Sequence, residues 1–213
     1  MPKSGKPVDI GSVPKSRRKA AALLPKQKER TPDRLSRETP EEEIYRLVAN
    51  LVDEPDRVAA IVAASFLERA IEDTIVSRLK RQDKETLEKL FDDSGDGPLA
   101  TFDAKIRMAY ALGVFGPTTK HDFDVIRRIR NTFAHSIIDV SFDTDEVKNA
   151  VASLKGDILI GIRKTLTDLG DIPSIRRREY VNAVAIYHFN LVVFGRYTPE
   201  QLPKGLGAYP RFP

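Results

Sequence analysis

Residues 124–136 read Asp-Val-Ile-Arg-Arg-Ile-Arg-Asn-Thr-Phe-Ala-His-Ser, and here helical periodicity coincides with side chains that could do chemistry. An α-helix turns about 100° per residue, which gathers Ile126, Ile129 and Phe133 on one side. With Arg127 as origin, Arg130 falls about 60° to one side, Asn131 about 40° and His135 about 80° to the other, with Ala134 between them. The helix thus has an apolar back and a front of arginine, amide and imidazole. An arginine can stabilise developing negative charge, and an imidazole with its ordinary pKa of about 6.5 can move a proton near neutrality. The same groups can instead bond to helix-end carbonyls and neighbouring acids. A residue as small as Ala134 leaves room for a second chain or a ligand.

Other chemistries find less support. The chain has no cysteine, which excludes disulfides, thiolate metal sites and cysteine nucleophiles and fits a reducing compartment. His121, His135 and His188 fall on separate predicted helices, without the His-x-x-x-His spacing of a zinc site. The acidic loop 92–98 lacks the alternating ligands and distant glutamate of a calcium-binding EF-hand. Gly156 to Gly161 has the gap of a phosphate loop, but Lys164 and Thr165 arrive two positions late and a helical period runs through it. No serine sits in a Gly-x-Ser-x-Gly elbow. No metal and no cofactor are expected.

The charge is unevenly spread. Residues 1–38 hold 11 Lys and Arg against 4 Asp and Glu, a net of +7, while the remainder holds 24 against 27, a net of −3. That first stretch has five prolines and no aromatic residue, so it is expected to be a disordered basic arm. Lys15, Arg17, Arg18 and Lys19 are the candidates there for nucleic-acid phosphates, against the plainer reading of a solubilising tail. The longest nearly apolar run, residues 181–194, is interrupted by Asn182, His188 and Asn190 and is too short for a bilayer. It reads as a buried helix. No secretory apolar segment is visible near the start. These features lead us to expect a soluble cytoplasmic protein.

The elements that must position the polar front are helices. Thr39-Pro40-Glu41-Glu42 has the form of a capping box opening a helix to about residue 52. A longer helix over about residues 55–81 carries Val58, Ile61, Val62, Phe66, Leu67, Ile71, Ile75 and Leu79, and its run of alanines suits a central position among several neighbours. On its second half, Glu68 and Glu72 either face solvent or pair with the arginines of the polar front. Shorter helices follow over residues 83–91 and 99–114, the latter with Phe102, Ile106, Met108, Tyr110 and Leu112 expected inside. Thr118 or Thr119 is expected to cap the helix at about residues 120–136. A loosely alternating stretch, 137–142, precedes helices at about 145–155 and 157–169, separated or kinked at Gly156. Ser174 opens the last helix, where Tyr180, Val184, Tyr187, Leu191 and Phe194 form a stripe. Residues 196–213 form an irregular tail. The expectation is an all-α single helical-bundle domain of about seven helices over residues 39–195.

Two resemblances bear on function. The Arg130 to His135 spacing resembles the R-x4-H pattern of HEPN domains, all-helical modules that include metal-independent ribonucleases and non-catalytic partners in toxin and antitoxin systems. That resemblance implies Arg130 as stabiliser of the phosphorane, His135 as general acid or base and Asn131 as the group that orients them. On an ideal helix, however, Arg130 and His135 lie about 140° apart, so they converge only if the helix ends near Ala134 or a second subunit completes the site. A longer set of blocks is more specific: Leu90-Phe91, Gly97-Pro98-Leu99-Ala100-Thr101-Phe102, Lys105-Ile106, Ala109 to Gly113 and Ile126 to His135. In this order they resemble the mannitol operon repressor family over about residues 57–149. The resemblance implies an all-helical transcriptional regulator without a recognisable helix-turn-helix, working through a protein partner or an unconventional nucleic-acid contact. Arg127, Arg130, Asn131, Ala134 and His135, with Glu68 and Glu72, would then form a structural or homodimer face.

Overall fold

A computed structural model describes residues 40–51, 53–92, 94, 96–137, 139–155 and 174–195. Among them the chain is all-α, with seven α-helices and no strand. The arm, the expected helix at 157–169, the Gly156 kink and the C-terminal tail lie outside the described residues, as does Thr39 of the capping box.

Helix α1 spans Pro40–Leu51 and α2 spans Asp56–Arg78. Pro55 fixes the entry to α2, and the helix ends three residues earlier than its apolar pattern predicts. At that end Leu79 turns extended, and the Gln82 amide donates to the carbonyls of Val76 and Leu79. As its alanines suggest, α2 is central. Ala59, Ala60, Ala63 and Ala64 are buried, and their small side chains let neighbouring helices approach the α2 backbone. Tyr180 uses this closeness to donate its hydroxyl to the Ala60 carbonyl at 3.0 Å. Val58, expected inside, is more than a third exposed at the first turn.

Helix α3, Lys84–Phe91, is capped by Asp83 and buries no side chain fully. The turn after it closes on Gly97, where a Cβ would lie 2.6 Å from the Asp92 nitrogen, so only glycine allows Leu99 N–H to reach the Leu90 carbonyl at 2.8 Å. Thr101 then caps α4, Phe102–Ala111. Phe102, Lys105, Ile106 and Ala109 make its buried face, whereas Tyr110 and Leu112 are more than a third exposed, contrary to expectation. A helix this short has one core-facing stripe, and Tyr110 stands about 100° around from Ala109.

Helix α5, Pro117–His135, starts earlier than predicted. Gly116 occupies the N-cap and Pro117 the first turn, so neither Thr118 nor Thr119 caps it; Thr119 is buried inside the helix. Between α5 and the next helix the described residues form no strand, and Val140 and Phe142 are buried in the core. Helix α6, Asp145–Ala152, follows Thr144, whose hydroxyl accepts from Ser141 N–H rather than from the helix. Ser174 caps α7, Ile175–Asn190, as expected, and the chain continues as a π-helical turn, Leu191–Gly195. Tyr180, Val184, Tyr187 and Leu191 are buried in a single core shared with α1, α2, α4, α5 and α6. No described helix is long and apolar enough to cross a membrane.

Candidate functional site

The back of α5 behaves as its periodicity requires. Ile126, Ile129 and Phe133 are buried, and Phe133 packs on Phe142 and that ring in turn on Tyr180, with centroids 5.0 and 5.3 Å apart. This fixes the rotation of the helix and presents the polar front outward. On that front, Arg127 Nη2 meets Asp103 at 3.3 Å and Asp124 at 3.8 Å, and Lys120 meets Asp124 at 2.8 Å. Arg130 donates from Nη1 to its neighbour Asn131 Oδ1 at 3.0 Å, which orients the guanidinium without neutralising it. Ala134 is half-buried, and Arg128 and His135 are exposed.

The helix runs through His135, with Ser136 N–H closing on the Thr132 carbonyl at 3.1 Å and Arg57 donating to the Ser136 carbonyl at 2.9 Å. Regular helix across the whole Arg130 to His135 interval keeps the two about 140° apart around its axis, the arrangement in which they would converge only with a second subunit.

Glu68 and Glu72 do not reach the α5 arginines. Both bond to Lys105 of α4, at 3.0 and 2.9 Å, and the ammonium is almost wholly buried between them. Burial alone would lower the Lys105 pKa, but hydrogen bonds and charge from Glu72 and Glu68 outweigh it and leave the net shift upward.

Two further ionic residues were not singled out by sequence spacing. Asp122 of α5 is fully buried, and its carboxylate accepts from the Tyr187 hydroxyl at 2.6 Å and from Lys155 N–H at 2.8 Å, with His121 Nδ1 at 3.0 Å. Burial, followed by the hydrogen bond to Asp122, pushes the Tyr187 phenol far above its ordinary range. Arg177 of α7 donates to Asp56 Oδ1 at 3.2 Å and to the Leu51 carbonyl at the end of α1, while Asp56 Oδ2 accepts from Phe142 N–H at 3.0 Å. A signal for them exists. Asp122 stands at i−4 from Ile126, and Arg177 at i−3 from Tyr180, so both sit on apolar stripes where a charge must find a partner.

The profile of the mannitol repressor family (MtlR) matches residues 46–161, more than half of the chain. The chain belongs to that family. No curated protein matches it. Among solved structures, the X-ray structure of the MtlR-HPr complex from Escherichia coli is similar, with a TM-score of 0.53 and 18% identity over 70% of this chain and 97% of that one. At that identity the likeness is one of fold. The family match takes in α2 to α6 entire, together with the last turns of α1, and so contains both the polar front and the Lys105 cluster.

Proposed function

We propose that this protein is a non-catalytic regulator of the mannitol repressor type that acts in the cytoplasm by binding a protein partner, without a helix-turn-helix. The family match over residues 46–161 carries this reading. It is supported by the fold shared with a protein solved in complex with HPr, which makes HPr the first partner to test. The geometry of α5 agrees, because Arg130 is held by Asn131 and the intact helix separates it from His135.

Titration calorimetry of the full chain with HPr from its own organism tests the proposal. A saturable one-to-one complex is expected, and no heat or co-elution at concentrations of about 100 μM would count against it. The competing ribonuclease reading is tested by incubation with mixed RNA in the presence of chelator. Intact RNA is expected; cleavage that His135→Ala abolishes would replace the regulator with an enzyme.

The basic arm is proposed as an auxiliary nucleic-acid contact through Lys15, Arg17, Arg18 and Lys19. Phosphate contacts of this kind give affinity without base recognition, so they suit an accessory role.

A further inference from the structure

The first half of α2 is apolar on its outer side as well as its inner one. From Val58 to Leu67 the helix carries no charged residue. Its alanines and Leu67 face the core, and taking Val58 as origin they all lie about 100° or more away. Within about 60° of Val58 stand Ile61, Val62 and Ser65. Val58 is 38% exposed, Ser65 is exposed, and Ile61 and Val62 are partly buried. The Ser65 hydroxyl donates to the Ile61 carbonyl at 2.9 Å, so the one polar group on this stripe already has an acceptor within the helix. A helix that is apolar on both sides is one that expects cover on both.

The ends of the stripe differ in charge. Asp53, exposed, and Glu54 precede it, whereas Arg69 follows it, about 20° from Val58 and with its side chain 71% exposed. A two-fold axis passing between Ile61 and Val62 and perpendicular to α2 sets two copies of the helix antiparallel. Val58 of each copy then stands level with Ser65 of the other, a large side chain over a small one, and Ile61 stands level with Val62. Arg69 comes level with Glu54. Parallel pairing would instead set Arg69 against its own copy, where like charges repel.

We propose that this outer face of α2 is a self-association surface, on which a second copy of the chain packs antiparallel about a two-fold axis between Ile61 and Val62. Shape and charge both select this occupant, because the stripe is complementary to itself when reversed. The pairing goes beyond partner binding and does not depend on it. It also moves the homodimer face from the polar front of α5 to α2. About two helical turns of apolar contact is small against the roughly 800 Å² per partner of a standard stable complex, so the dimer is expected to be reversible, with a Kd on the order of 10–100 μM.

Sedimentation of the full chain from about 1 to 300 μM is expected to show monomer passing to dimer across that range. Ser65→Arg and Val58→Glu should each hold the chain monomeric throughout. Both positions are exposed, and an acidic group in the first turn suits the helix N-terminus, so melting at the lowest concentration should be unchanged. A second measurement leaves the stripe almost intact. The chain has no cysteine, so Val62→Cys and Arg78→Cys each introduce a single thiol. A short bis-maleimide should join two Val62→Cys chains, which meet beside the axis, and should not join Arg78→Cys chains, whose thiols stand about 50 Å apart in the antiparallel dimer. A wild type that stays monomeric at the highest concentration would give the face to another occupant and end the proposal. So would a dimer that survives both Ser65→Arg and Val58→Glu, or one cross-linked through Arg78→Cys and not through Val62→Cys.

Discussion

Asp122 shows how one side chain can hold an element in place. Its carboxylate serves α5, the segment leaving α6 and α7 at once, through Tyr187, Lys155 N–H and His121. Asp122→Ala would leave a buried hydroxyl and a backbone N–H without their acceptor, for a loss of about 3 kcal/mol. For a chain of this size that is a fall in Tm of about 6–12 °C, measurable by calorimetry. Tyr187→Phe removes one bond and should cost about 1–2 kcal/mol. His135→Ala should change stability by about 0.5 kcal/mol or less, because the imidazole is exposed and meets no described partner. A large loss there would instead make His135 structural. At this scale the sequence was legible where residue type agreed with position, as for Ile126, Ile129 and Phe133. Lys105, Asp122 and Arg177 were not legible because they are ions on apolar stripes, and no spacing rule states which distant residue will neutralise them.

Among the elements, α4 illustrates an ionic group used as packing. Its buried face includes Lys105, clamped between Glu68 and Glu72 of α2. Lys105→Ala should destabilise by about 3 kcal/mol, since it leaves two carboxylates facing each other with no cation. Changing all three, Lys105→Met with Glu68→Gln and Glu72→Gln, should recover most of that stability. The pH dependence follows from the upward shift of Lys105 from 10.5. A lysine bound more tightly to its proton in the folded state contributes its full stability below the unfolded value and loses it as pH rises through the higher folded one. Urea melts of wild type should therefore lose midpoint steeply above about pH 10.5, and Lys105→Met with both glutamines should lose less. Element types and order were readable from apolar periodicity. Their ends were less so, because Gln82 at the end of α2 and Gly116 at the start of α5 act through local geometry that periodicity does not report.

For the whole molecule, the all-α architecture and the family followed from spaced blocks of sequence, whereas the pairing of helices did not. Nothing in the local pattern of α7 states that it packs on α1 and α2, more than a hundred residues earlier. The asymmetry of charge between residues 1–38 and the rest also belongs to this scale. If the arm binds nucleic acid, a chain beginning at Thr39 should bind duplex DNA more weakly and with a shallower dependence on salt, by up to about 0.9 in log–log slope for each phosphate that is no longer neutralised. Equal slopes would end that role.

The clasp of Arg177 on Asp56 and on the carbonyl end of α1 has a consequence for how the protein is made. During synthesis, α1 and the alanine-rich flank of α2 emerge well before the helix that covers them. Until α7 leaves the ribosome, Asp56 waits without the Arg177 guanidinium and Ala60 without the Tyr180 hydroxyl. Folding that depends on partners so distant in the chain is slow to begin, and the uncovered surface is open to association in the meantime. Chains truncated before residue 174 should accordingly remain chaperone-bound or aggregate, although the family-matched region is already complete in them.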